Sequence, residues 1–302
     1  MQAPPADDPS RIRAHRLALL TMVVCAFMWS IAGVASRHLE QAEGAEVAFW
    51  RSFFCVLFMM LAMAAMHGGR WIAQTRAVGW VGLASGVMWS VMFTCFMIAL
   101  MRTSVANVLV VLAASPLLAA LLGMAVLREP VATRTWLAIV IAAAGIVLMV
   151  REGLSADGWT GMALAAAVPV ASAINIVLLK KTGARVDLIP AVMVGALISC
   201  LVTLPIAWPV SAGARDLAIL AGLGVFQLAV PCMMMIRAAR HLAPHEIALL
   251  GLLEVVLGPL WAWLGAGETP GAGTLQGGAL VLSALLVNEL AALRARRAAL
   301  PA

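Results

Sequence analysis

Three observations on this 302-residue chain predict an all-α integral membrane protein of ten transmembrane helices. About ten apolar segments of some 20 residues each follow one another with only short polar breaks, and that is the length needed to cross the hydrocarbon of a bilayer. Hydrophobic residues are 64% of the composition and charged residues 11%, which leaves few positions for a water-facing surface. The apolar runs are uninterrupted and lack the alternation of a barrel strand, and a backbone in hydrocarbon must pair its polar groups internally.

The spans are predicted at 17–36, 46–66, 77–100, 104–126, 133–150, 158–179, 188–208, 216–236, 244–265 and 272–292. The first carries Trp29 and Ser30 at its middle and is long enough to remain as a helix, with no convincing signal-peptidase site after it. Residues 1–16 precede it as a cytoplasmic tail, and Pro4, Pro5, Asp7, Asp8 and Pro9 predict disorder in its first ten residues. The second span holds Arg51 about one turn from its start, and the third holds Trp89, Ser90 and Thr94. Ser115 and Pro116 fall in the fourth, and Trp136 and Gly145 in the fifth. Pro169, Ser172 and Asn175 fall in the sixth, Pro205 in the seventh, and Gln227 and Pro231 in the eighth. The ninth carries Glu254 about halfway along and Pro259 beyond it, and the tenth ends before a basic cytoplasmic tail, 293–302.

The basic residues orient the chain. With a cytoplasmic N-terminus, inside segments hold fifteen Lys and Arg, from Arg11 to Arg297, and outside segments hold four: Arg37, Arg102, Arg151 and Arg215. Cytoplasmic loops carry the excess of positive charge, so both termini are expected inside. The net charge of +6 is then an orientation signal. A nucleic-acid surface would need the basic residues gathered on one face, and no such patch is evident. Cys25, Cys55, Cys95, Cys200 and Cys232 all lie within spans and form no C-x-x-C pair, so they read as small packing residues. Six of the ten tryptophans (Trp50, Trp71, Trp80, Trp136, Trp159 and Trp208) fall near span ends, as an interfacial belt requires.

An offset of 139 residues relates the two halves. It lays Ala99–Glu129 over Ala238–Glu268, matching Ser115 with Glu254 and Glu129 with Glu268. Because each half has five spans, the second copy enters the membrane from the opposite side, an inverted repeat of the kind many secondary transporters use. On these residues the chain resembles the EamA domain of the drug/metabolite transporter superfamily. The resemblance rests on the stretch from Leu109 to Met149, with Pro116, Gly123, Glu129, Trp136 and Gly145, and on Val47 to Met60 with Arg51. A second copy is carried by "LLGLLEVVLGPLWAWLGAGETP", with Glu254 and Glu268. The copy departs from the pattern at Val255, where a proline often follows the Glu, and the seventh span has no counterpart of Arg51. The resemblance implies two inverted five-helix repeats, 17–150 and 158–292, and outward transport of small metabolites across a bacterial inner membrane. In size and build the chain is similar to bacterial exporters of aromatic and other amino acids.

Candidate transport residues follow from what is expensive in hydrocarbon. Glu254 costs at least ~2.5–3.5 kcal/mol at mid-span, so it is expected to face a cavity or a partner, as an amine ligand, a proton-coupling carboxylate or a hydrogen-bonded packing residue. Arg51 is close enough to the outer interface to snorkel, and pairing with Glu46 or Glu40 is the expected structural role. Polar and aromatic side chains at depth are candidates for the substrate path: Trp29, Ser30, Trp89, Ser90, Thr94, Ser115, Ser172, Asn175 and Gln227. The alternative for each polar one is a bond between helices. Pro116, Pro231 and Pro259 are candidate hinges, and Gly33, Gly86, Gly123, Gly145, Gly195, Gly222 and Gly224 are expected at close helix contacts.

No catalytic set accompanies these residues. His241 and His245 are separated by Pro244 and form no H-E-x-x-H pair, and neither G-x-S-x-G nor a P-loop occurs, so no enzyme activity, cofactor or metal is expected. The reading is an alternating-access exporter of small metabolites, amino acids foremost. Its cavity is lined by the first, third, fourth, sixth, eighth and ninth spans. Proton exchange through Glu254 and facilitated diffusion are both compatible with it. Competing readings are an exporter of cationic drugs or another metabolite, and a non-transporting membrane component in which Glu254 is replaceable by Leu. The expected partners are a small-molecule substrate and the lipid bilayer, and composition leaves the oligomeric state open.

Overall fold

The computed structural model describes residues 9–128, 133–152, 156–182, 189–242 and 244–298. Glu129, one of the repeat markers, lies outside the described residues. Among these residues there is no β-strand. The first rod is α1 (Pro9–Ser30), continued after a turn at Ile31 by α2 (Ala32–Ser36), and α3 (Gly44–His67) is the second. A short helix, α4 (Trp71–Ala77), leads into α5 (Gly79–Arg102). The fourth rod is broken into α6 (Val105–Leu112), α7 (Ser115–Leu122) and a π-helical stretch at Gly123–Leu127. Then come α8 (Thr133–Glu152), α9 (Ala156–Thr182) and α10 (Ile189–Ala207). The eighth rod is α11 (Ala214–Gly222), a π-helical stretch at Leu223–Ala229, and α12 (Val230–Ala238). Helices α13 (Pro244–Ala266) and α14 (Ala272–Ala298) complete the chain.

Seven of these rods carry stretches long and apolar enough to cross a membrane, from Arg13–Ser36 to Ala214–Ala238. Three more apolar helices are shorter within the described residues: Thr133–Gly145, Leu253–Ala266 and Ala272–Asn288. The outer surface is apolar. Leu20, Leu61, Val140, Leu201, Leu264 and Val287 are all more than half exposed, an arrangement suited to lipid and costly in water. Helix α1 begins at Pro9, upstream of the predicted start at 17, so half of the expected N-terminal tail is helical. At the other end α14 runs on to Ala298, into the predicted tail.

The packing repeats when the halves are exchanged. Helix α1 lies against α12 and α13, and its counterpart α9 lies against α5, α6 and α7. Helix α3 packs on α10, and α8 packs on α14, each pairing an element with its own counterpart. Several of these contacts require glycine. A Cβ on Gly195 would come within 2.4 Å of the Trp89 Cβ and 2.9 Å of the Gly86 carbonyl, so α5 and α10 meet backbone to backbone. Gly33, Gly86, Gly145 and Gly224 are similarly crowded, whereas Gly222 has open space beside it and plays no such part. Close approach of this kind substitutes for the hydrophobic drive that lipid does not provide.

One end of the bundle is cross-tied by carboxylates. Asp216, buried in the first turn of α11, accepts backbone N–H groups of Glu40, Gln41 and Ala42 at 3.0, 2.8 and 2.8 Å. Reciprocally, Glu46 in the first turn of α3 accepts the N–H groups of Ser211 and Ala212 at 2.8 and 2.7 Å, together with the Ser211 hydroxyl. Each acid therefore orders the loop preceding the other's helix, and favours its own helix N-terminus as well. At the same end Arg37 donates to Glu268 at 2.7 Å and to the carbonyls of Leu100 and Thr103, while the second Glu268 oxygen accepts the Val105 N–H at 2.6 Å. These ties join the loops after the first, third, seventh and ninth rods, so alternate connections gather at one end, as strict up-down traversal demands. The Asp216→Ala variant leaves three backbone donors unsatisfied, and thermal unfolding in detergent should report a loss of about 2–4 kcal/mol.

Candidate functional site

Two charged side chains deep in the bundle define the site. Arg51 is the eighth residue of α3 and Glu254 the eleventh of α13. At 1.5 Å per residue they sit about 10 and 18 Å along their helices from the cross-tied end. Arg51 is 2% exposed, and Glu254 is half-buried. The two charges act on each other electrostatically, yet no ion pair joins them. The expected pairing of Arg51 with Glu46 or Glu40 is overturned: Glu46 is committed to Ser211 and Ala212, and Glu40 pairs with Arg215. The snorkelling assumption fails because the Arg51 side chain turns into the bundle rather than toward the interface.

What surrounds Arg51 is mostly aromatic and sulfur. Its guanidinium carbon lies 6.0 Å from the Phe93 ring centroid and 5.7 Å from that of Phe96, within cation–π range. Trp89 stacks obliquely on Phe93 with centroids 5.4 Å apart. Trp89, Phe93 and Phe96 recur at helical spacing on α5 and form one stripe toward α3. Cys55 and Cys232 neighbour the arginine. Among hydrogen-bond partners the site is poor: Nε and Nη1 of Arg51 have none.

The eighth rod reaches this cluster through its π-helical stretch. Gly224 lets the rod rest on α3, since a Cβ there would come within 2.5 Å of the Arg51 carbonyl oxygen and 2.8 Å of the Phe54 Cβ. Within the same stretch Gln227, 2% exposed, donates from Nε2 to the Trp29 carbonyl at 3.3 Å and leaves its Oε1 without a partner. A π turn inserts a residue into the helical ladder and re-aims the side chains beside it, a device frequent at functional sites. Cys232 neighbours Trp29, Arg51 and Glu254, so Trp29, Gln227, Arg51 and Glu254 belong to one region drawn from four rods.

The other candidates are placed differently. Ser30 donates to the Phe27 carbonyl at 2.7 Å and accepts from the Trp261 indole at 3.0 Å, joining α1 to α13. Thr94 meets the Ser199 hydroxyl at 2.8 Å, and Ser52 donates to that same oxygen at 2.9 Å, so a hydroxyl trio binds α5, α10 and α3. Ser90 faces Gly195 of α10. Ser115 donates to the Leu112 carbonyl at 2.6 Å across the break at Ala113 and Ala114. Ser172 is half-buried on α9, and Asn175 is buried there with an unpartnered Oδ1. No hydrogen bond among the described residues ties either to the Arg51 region. Pro116 falls in the first turn after the break at Ala113 and Ala114, where a missing N–H costs nothing, while Pro231 follows the π stretch within a continuous rod and Pro259 lies inside α13.

Fold and site together define a polytopic helical membrane protein with charged and polar groups held at depth. Residues 16–151 and 159–289 each match the model of the EamA-like transporter family, and the chain belongs to that family. It is 24% identical over 276 residues to the pseudopaline exporter CntI of Pseudomonas aeruginosa, a match found in two strains that covers 89% of this chain and 94% of the relative. A solved crystal structure superposes with a TM-score of 0.66 at 17% identity, covering 91% of this chain and 98% of that one, which shows the fold alone.

Sequence reading missed Phe93 and Phe96, although the spacing of Trp89, Phe93 and Phe96 carries a signal, and it expected Gly224 at a close helix contact without its place beside Arg51. Replacing Gly224 with Val should push the eighth rod off α3 at Arg51. Overpacking of that kind costs about 1–3 kcal/mol, measurable as a lowered melting temperature in detergent.

Proposed function

We propose that the protein is a ten-span secondary transporter that exports small amino-acid-like metabolites by alternating access. The observation that carries this is that a basic and an acidic side chain, Arg51 and Glu254, lie at depth in one region without an ion pair between them. Intramembrane ionisable groups of this kind mark substrate or ion pathways. Glu254 supplies a site for a cargo ammonium group, and Trp29, Trp89 and Gln227 supply the aromatic wall and polar contacts around it. An amino-acid-like cargo offers both charges to such a pair. A cationic drug would meet Arg51 with the wrong sign, which ranks that reading second. Membership of the transporter family and the likeness to a named exporter support carriage outward.

The positive-inside bias supports reading the cross-tied end as outside and both termini as cytoplasmic, in a bacterial inner membrane. In this reading Arg51, from the first half, and Glu254, from the second, line a site between two inverted five-helix halves, where such carriers bind cargo. With Arg37, Glu268, Asp216 and Glu46 all engaged, we read this conformation as closed at its outer end. Opening it requires the Arg37–Glu268 pair to part.

Flux from proteoliposomes loaded in turn with labelled aromatic, aliphatic, acidic and basic amino acids tests the reading. Saturable efflux of at least one class is expected, reduced about tenfold or more in Glu254→Gln and Trp89→Ala. Absence of flux above empty liposomes across the panel would refute it. The Glu268→Gln variant should favour the outward-open state. A cysteine introduced at Leu112 in a cysteine-free background, about 10 Å below the outer end of α6, is then expected to label faster with a membrane-impermeant maleimide added outside.

A further inference from the structure

We propose that Arg51 is the carboxylate anchor of the transport site, binding the acid group of the cargo while Glu254 binds its ammonium group. This rests on the carrier reading and adds to it a role for a residue that sequence alone assigns to structure. The first support is that Nε and Nη1 of Arg51 find no hydrogen-bond acceptor among the described residues. The residue is 2% exposed. A guanidinium stays charged in proteins and presents five donors in a planar fork, so burying it with donors unused is costly unless something else supplies the acceptors.

Nearby acids do not supply them. Of the carboxylates that precede Arg51 on the chain, Glu40 is engaged with Arg215, Glu46 with the backbone of Ser211 and Ala212, and Glu43 is exposed. Glu254 stands off: its charge reaches Arg51, but its oxygens do not bond it. Phe93 and Phe96 hold the cation by their ring faces, an interaction that fixes its place while satisfying none of its N–H donors. The thiols of Cys55 and Cys232 are weak acceptors.

A second independent feature points the same way. Gln227, packed into the same region through Gly224 and Trp29, also holds a buried unpartnered atom, its Oε1 acceptor. The region therefore offers free donors on Arg51 and a free acceptor on Gln227, with the half-buried Glu254 carboxylate beyond. A molecule carrying both a carboxylate and an ammonium group complements that set. The planar fork matches a carboxylate bidentately, a geometry that a lysine cannot reproduce.

The test compares phenylalanine, leucine, lysine and glutamate, each beside its α-carboxamide, as labelled cargoes in proteoliposomes. For whichever are carried by the wild type, the acid should move at least about tenfold faster than the amide, because an amide leaves the buried fork short of its charged partner. In Arg51→Gln the ratio of acid to amide flux should fall to within about twofold, and Arg51→Lys should give an intermediate ratio. Inhibition of wild-type flux by excess unlabelled acid, but not by the amide, gives the same answer should the variants fold poorly. Equal wild-type flux of acid and amide, or an unchanged ratio in Arg51→Gln, would overturn the anchor while leaving the carrier reading intact. Absence of flux for acids and amides alike would remove the carrier reading and the anchor with it.

Discussion

Hydrocarbon offers no hydrogen bonds, and that constraint governs where this chain is irregular. A regular helix satisfies its own backbone, so each departure must be answered by protein nearby. The break at Ala113 and Ala114 is answered by the Ser115 hydroxyl, and Pro116 sits where it needs no donor. The π stretch at Leu223–Ala229 is pressed against α3 through Gly224 and carries Gln227 inward. The fourth and eighth rods, the most broken, are also packed from several sides within the bundle. Gln227 brings an unpartnered polar atom onto irregular backbone, whereas those of Arg51, Ser85 and Asn175 lie on regular helices.

The two kinds of carboxylate in the molecule illustrate opposite uses of the same group. Asp216, Glu46 and Glu268 are saturated with donors and tie four loops into one rigid end. Glu254 is held apart from the cation that faces it. Saturated acids hold a conformation, whereas an acid and a base kept apart retain affinity for something else. Arg51 itself is held by aromatic packing on its guanidinium and by the glycine-mediated contact of the eighth rod on its backbone.

Much of the fold was legible because its signals are local. Span length, the positive-inside bias and the odd number of segments per half need no knowledge of contacts, and the family pattern around Pro116, Glu254 and Glu268 lies within single stretches. Glu254 stood out as a lone charge at mid-span for the same reason. The partners of Arg51 were misread because choosing between snorkelling outward and turning inward depends on α5 and on Gly224, which are distant in sequence. Arg37 and Glu268 served only as topology and repeat markers, since a bond across 231 positions leaves no local trace. Ser30 and Thr94 resemble lining residues in sequence, and only the positions of Trp261 and Ser199 reveal their use as ties between helices.

The π stretch has no counterpart in the first half, where the equivalent positions lie within the regular helix α5. In a carrier made of two identical inverted halves, the inward-open and outward-open forms would be related by a twofold rotation about an axis in the membrane plane and equal in energy. An irregularity confined to one half lifts that degeneracy. For the proposed carrier the empty protein then favours opening to one side of the membrane, a bias in resting population that exists before cargo is bound and sets no direction of net flux by itself.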